Sequence, residues 1–142
     1  MENEIINRVG FMMEQALGTM TGALAEAFKA NGIDLPHSQY IVLRLLYSSE
    51  TPLTQIRIAE ILKKDAAAIK RTVDILERKG LVIREAQNGR TNKVVCTGEA
   101  LAIKEIVTSS ANETLHNIFG SFTEPELTGF INMLGKIAGS KK

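Results

Sequence analysis

Residues 53–97 constrain this chain more than any other stretch. LTQIRIAEILKK has the spacing of a short helix, and DAAAIKRTVDILERKG supplies a turn and a second, basic helix. LVIREAQ, NGRTN and KVVCT then read as a hairpin with a polar tip. Asn88-Gly89 within that tip is the strongest short-range hairpin signal a sequence can carry. Helix, turn, basic helix and hairpin in that order make a winged helix-turn-helix, a module that usually meets DNA. The charge distribution agrees. From Lys63 to Lys93 there are nine Lys/Arg against four Asp/Glu, a local +5, and the rest of the chain has eight against twelve, or −4. The overall +1 conceals a basic centre between acidic ends, the pattern expected when one surface must meet phosphates.

The flanks are helical by periodicity. At 142 residues the chain fits a single domain with its own core. Ile5, Val9, Met12, Met13, Ala16, Leu17, Met20 and Leu24 mark one face of a helix from about Glu4 to Lys29. Gly10, Gly18 and Gly22 weaken that helix, so it is expected to pack closely against something or to flex. Asn31-Gly32 stops it. A second helix, His37 to Tyr47, follows Pro36, with Tyr40, Leu43 and Leu46/Tyr47 along one face. Thr54 is a good N-cap for a third, Gln55 to Lys63, whose inward residues are Ile58, Ala59 and Leu62. Asp65 is the expected side-chain cap of the fourth, which ends at Gly80 and buries Ile69, Val73 and Leu76. Beyond the hairpin, Thr97 and Gly98 open a fifth helix, about Glu99 to Phe119, with Leu101, Ile106, Val107, Ala111, Leu115 and Ile118 as its apolar stripe. Thr123-Glu124-Pro125-Glu126 is a capping box with proline in the first turn. It starts a sixth helix whose expected buried face is Leu127, Phe130, Ile131, Leu134 and Ile137. The fold class is mainly α with a small β-hairpin wing.

The fourth helix carries the chemistry. Opposite its buried face lie Ala67, Arg71, Asp74 and Arg78, with Lys70 beside them. Small residues let a backbone approach base edges, and long cations supply donors to bases and phosphates. Base readout is assigned to Ala67, Ala68, Lys70 and Arg71, and phosphate contacts to Thr54, Gln55, Lys63 and Lys64. Arg90 would project from the wing tip into a minor groove, with Asn92 nearby. The bland reading of the helix alone is an ordinary solvated amphipathic face.

Other chemistry is sparse. No Gly-rich phosphate loop, nucleophile elbow or paired-carboxylate motif is present, so neither catalysis nor a cofactor is expected. A single cysteine fits a reducing cytosol, and a polar, partly acidic start is no signal peptide, so the expected location is cytoplasmic. No apolar run approaches the ~20 residues of a membrane span. Cys96 reads as an apolar cysteine at a strand end rather than a redox sensor. His37 and His116 are too few and too isolated for a metal site. The Met-rich first helix either lines an adaptable ligand pocket or fills an irregular core. As a pocket, its walls would be Met12, Met13, Leu17, His37, Tyr40 and Leu43.

The order of elements resembles the MarR family of bacterial transcriptional regulators over nearly the whole chain. The specific part is Leu53-Thr54-Gln55 with Ile58-Ala59, then Ile69-x-Arg71-x-Val73-Asp74-x-Leu76-Glu77-x-Lys79-Gly80-Leu81-Val82-x-Arg84, then Arg90 and Thr97. The chain departs from the family pattern at three places. Ala67-Ala68 stands where a Ser or Thr pair is frequent, Asn88 where the wing usually has Asp, and Ala100 where a Gly usually follows the wing. The resemblance implies a homodimeric DNA-binding regulator, usually a repressor, with residues about 36–97 as the DNA-binding lobe. It implies that about 1–32 and 98–139 form dimerisation helices interlocked on a two-fold axis. The two lobes would then read a pseudo-palindromic operator with half-sites about 34–36 Å apart. It further implies release by a small aromatic or phenolic ligand held between the dimerisation helices and the lobe. The Ala67-Ala68 pair keeps a second class open, a winged-helix protein-interaction module without specific DNA binding.

Overall fold

The computed structural model describes residues 2–87 and 91–139. In chain order these form α1 (Glu2–Ala30), α2 (His37–Ser48), β1 (Leu53–Thr54), α3 (Gln55–Leu62), α4 (Ala66–Arg78), β2 (Val82–Gln87), β3 (Thr91–Cys96), α5 (Gly98–Phe119) and α6 (Glu124–Ala138). The fold is the expected one, helical with a small antiparallel sheet of strand order β1-β3-β2. The two-residue β1 was not foreseen. It pairs Leu53 with Val94 and Thr54 with Lys93, so the start of α3 hangs directly from the wing. In the hairpin Val82 lies opposite Cys96 and Arg84 opposite Val94.

Glycines end two helices where left-handed backbone is required. After α1, Gly32 has φ +75°, Ile33 N–H donates to Phe28 O at 3.0 Å and Gly32 N–H to Lys29 O at 2.9 Å. After α4, Gly80 has φ +78°, with Leu81 N–H on Leu76 O and Gly80 N–H on Glu77 O. Both are paired C-terminal caps of the Schellman type. Helix α3 ends the same way on a lysine, since Lys63 takes φ +57° and lies outside the helix expected to include it. The fourth helix also starts differently from expectation: Asp65 occupies the cap position, but its side chain makes no cap hydrogen bond.

The core sits between α2, α3, α4 and the wing, closed on the other side by the C-terminal half of α1 and the first half of α5. Leu24, Phe28, Leu43, Ile58, Val73, Leu76, Val82, Val94 and Val107 are among its buried residues. Three apolar faces depart from the sequence reading. In α5 the buried residues are Ala100, Val107 and Ala111, while Leu101 and Ile106 are 58% and 44% exposed. In α6 no residue is buried, Leu127 to Ile137 included. In α1 only Leu24 and Phe28 are buried, and Ile5, Val9, Met12, Met13 and Leu17 are exposed. Gly10, Gly18 and Gly22 have open space where a Cβ would go, so within one chain they serve no close approach.

Candidate nucleic-acid interface

Arg84 ties the site together. Period-two alternation along β2 puts it on the same inward face as fully buried Val82. A guanidinium there must be paired, and it is. Its Nε donates to Gln55 Oε1 at 2.8 Å, Nη1 to Glu77 Oε1 at 2.7 Å and Nη2 to Asp74 Oδ1 at 2.6 Å. One side chain, 16% exposed, therefore fixes the start of α3, the exposed face of α4 and the root of the wing relative to one another. Sequence reading recorded Arg84 as part of a motif and missed this role. The signal was available, as a charge at an inward strand position facing two acids spaced i, i+3 on the preceding helix.

Around this centre the assigned residues fall as follows. Thr54 caps α3, its hydroxyl accepting from Arg57 N–H at 3.1 Å. Gln55 is half-buried, and its amide oxygen is occupied by Arg84. Lys63 and Lys64 are exposed in the turn between α3 and α4. On α4, Ala67, Lys70 and Arg71 are exposed and Ala68 is half-buried. Lys70 Nζ lies 3.2 Å from Asp74 Oδ2. Among the described residues none hydrogen-bonds or ion-pairs with Arg71. Asn92 is exposed on β3. Arg90 lies outside the described residues.

Not all the central basic charge faces outward. Lys79 is spent inside the lobe, where Nζ donates to Gln39 Oε1 at 2.5 Å and to Asp34 O at 2.8 Å, holding the end of α4 against the start of α2. Asp74, hydrogen-bonded first by Arg84 and then by Lys70, has its carboxyl held below the ordinary carboxylate range.

The six residues assigned to an effector site are divided between places. Met12 and Met13 line a cavity of about 430 Å³ with Ile5, Val9 and Phe130, between α1 and α6. Tyr40 lines another, of about 260 Å³, with Arg44, Tyr47, Lys104 and Val107, between α2 and α5. Leu17 is exposed and Leu43 is fully inside the core. His37 is half-buried with its ring 6.2 Å from that of Tyr40, and its Nδ1 is buried without a hydrogen-bond partner. Burial, and secondarily Lys64, push its pKa down.

The cavity between α2 and α5 is braced by Tyr47. Its hydroxyl donates to Ala100 O at 2.6 Å, and Lys104 Nζ stands 5.5 Å from its ring centroid. Burial pushes the Tyr47 hydroxyl up to about 12. Cys96 is half-buried, and burial raises its thiol pKa against the opposing effect of Lys104. A raised thiol is a poor nucleophile, in keeping with a packing role. Among the described residues no group of three or more His, Cys, Asp and Glu is placed to hold a metal ion. No described helix is long and apolar enough to cross a membrane.

A model of the MarR family matches residues 33–90 of the chain. Among solved structures, the chain is similar to a MarR-family transcriptional regulator from Rhodococcus sp. RHA1, with 21% identity over 95% of this chain and 96% of that one and a TM-score of 0.82. CouR from Rhodococcus jostii RHA1, bound to p-coumaroyl-CoA, gives 22% identity over 94% of each chain and a TM-score of 0.82. MepR from S. aureus, in complex with DNA, gives 23% identity over 89% of this chain and 93% of that one and a TM-score of 0.79. At these identities the likeness speaks to the fold.

Proposed function

We propose that the chain, whose residues 33–90 match a model of the MarR family, is a member of that family and a homodimeric, sequence-specific DNA-binding transcriptional regulator acting as a repressor. The observation that carries this reading is the Arg84 cluster. It holds the start of α3, the exposed face of α4 and the wing root in one fixed relation, with Arg71 projecting unpaired among the described residues. A fixed relation of that kind is what a two-element DNA reader needs, because groove spacing is fixed by the duplex.

In this reading residues about 36–97 are the DNA-binding lobe. Thr54, Gln55, Lys63 and Lys64 contact phosphates, Ala67, Ala68, Lys70 and Arg71 face base edges, and Arg90 and Asn92 belong to the wing's contact with a groove. Residues about 1–32 and 98–139 form the dimerisation region. The apolar side chains left exposed on α1 and α6 support this, since exposed apolar faces on helices mark interaction surfaces. The cavity between α2 and α5 is the place for a small effector, with Tyr40 as the one residue it shares with the sequence assignment. CouR's bound p-coumaroyl-CoA supports looking for an aromatic ligand. The family's regulators support the expectation that the chain is no enzyme and works in the cytoplasm.

The test is fluorescence anisotropy on the chain's own upstream intergenic DNA and on scrambled duplex at two salt concentrations. A regulator binds the native duplex preferentially and with a steep salt slope. Arg71→Ala is expected to weaken native-site binding by about 1–3 kcal/mol and to relax sequence preference. Wild-type affinity in that variant would remove Arg71 from the readout. The exposed Ala67 and the 64% exposed Ile56 at the start of α3 favour the second reading, a protein-interaction module. That module would show neither preference nor slope.

A further inference from the structure

One feature of α4 fits poorly with a surface that simply attracts phosphates: a carboxylate on the face assigned to DNA. Asp74 is tied to that face by Arg84, whose Nη2 lies 2.6 Å from its Oδ1. Asp74 Oδ2 is in turn 3.2 Å from Lys70 Nζ, one helical turn back. Glu77 completes the group at 2.7 Å from Arg84 Nη1. Lys70, Arg84, Asp74 and Glu77 thus form two cations against two carboxylates, a net charge of zero.

An exposed Lys–Asp pair at i, i+4 is ordinarily worth little, since two long side chains must be ordered in high dielectric. This orientation, with the cation on the N-terminal side, is also the weaker one on a helix. Two things change the balance here. Asp74 is already ordered by Arg84, so only Lys70 loses freedom on pairing. The alternative for Lys70 is also unattractive, because leaving Asp74 to face a phosphate places two anions together at any sequence. Arg71, the next residue and 100° further round the helix, has no such partner among the described residues.

We propose that Asp74, pinned by Arg84, holds Lys70 as a neutral pair on the recognition face. Lys70 then neutralises Asp74 rather than reading a base, and Arg71 alone carries cationic readout on that turn of α4. Asp74 becomes a specificity-setting residue: it keeps sequence-independent attraction low where the helix meets DNA. The proposal rests on the regulator reading above and narrows its assignment of Lys70.

The experiment is anisotropy at one fixed salt concentration on two duplexes, a site selected by the wild-type protein from a random-sequence pool and its scrambled counterpart. The ratio of the two affinities is the readout. Lys70→Gln leaves a net negative cluster and is expected to lower both affinities by the same factor, with the ratio unchanged. Asp74→Asn keeps an acceptor for Arg84 and is expected to raise scrambled-duplex affinity several-fold and lower the ratio. The double variant K70Q/D74N restores neutrality, and both affinities should return to within about twofold of wild type. Arg71→Gln is expected to cut the ratio about fivefold or more in either background. A ratio that falls about fivefold in Lys70→Gln, which alters only an exposed side chain and needs no refolding control beyond a melt, assigns Lys70 to base readout and overturns the proposal. A wild type that selects no site and shows no salt slope removes the regulator reading itself, a result distinct from that one.

Discussion

Arg84 and His37 are both polar groups in half-buried positions, and they show how differently a residue can be legible. Arg84 was predictable in principle, because its inward register and its two acids on α4 follow from strand and helix periods alone. What the sequence did not reveal is that Gln55, 29 residues away, closes the same cluster. His37 was read as a helix-start residue or a pocket wall, and nothing in the sequence shows that its Nδ1 is buried without a partner. That burial has a pH consequence. Its folded pKa lies below the ordinary 6.5, so below that value the unfolded chain takes up a proton that the native one refuses. The stability linked to His37 is therefore full above about pH 6.5 and is lost as the pH falls toward the lowered folded pKa. Urea unfolding at about pH 8 and about pH 5 is expected to show a larger acid loss for wild type than for His37→Gln. Equal losses would mean the ring charges freely in the native state. Lys63 is a third case, a left-handed residue that no local pattern marks as such.

At the level of elements, existence and order were legible and faces were not. All six helices and the hairpin are where periodicity and cap residues put them, because N-caps such as Thr54, Thr97 and Thr123 are local signals. Thr123 and Glu126 even make the reciprocal pair expected of them, at 3.2 and 2.8 Å. In the α5 stripe Val107 and Ala111 are buried as expected, but Leu101 and Ile106 are not, because periodicity weights large residues and passes over Ala100. The side of α5 that meets α1 and α2 is lined by Ala100, Val107 and Ala111, small residues that permit close approach, while Leu101 and Ile106 point away. Asp65 shows the reverse failure, a good cap residue in a cap position with no cap bond. Thr97 joins two elements at once. It accepts from Ala100 N–H at 3.2 Å and donates to Gly80 O at 2.6 Å, locking the start of α5 onto the end of α4. Thr97→Ala is expected to cost about 1–2 kcal/mol in denaturant unfolding. A loss under about 0.5 kcal/mol would mean that water replaces both bonds.

The whole molecule, taken as one chain, leaves its two ends unfinished. The N-terminal half of α1 and all of α6 present apolar side chains to solvent, and the lobe between them is complete. Their expected burial was a reading of amphipathic pattern, which says that a face wants cover but not which chain supplies it. On the proposed homodimer, sedimentation should report twice the single-chain mass, and Val9→Asp with Ile131→Asp should shift it to one chain while the lobe stays folded. Two-chain mass in that double variant would put the contact elsewhere. The lobe's attachment bears on how such a dimer would move. Only Thr97 separates β3 from α5, and its N–H is tied to Leu81 O at 3.1 Å while its hydroxyl grips Gly80 O. The joint is a one-residue, hydrogen-bonded elbow, and the 22 residues of α5 form a lever about 33 Å long. A tilt of about 10° at its far end corresponds to a sweep of about 6 Å. In the proposed homodimer the wing and the long helix would turn together as a single crank, and the distance between the two lobes would follow the angle of that crank.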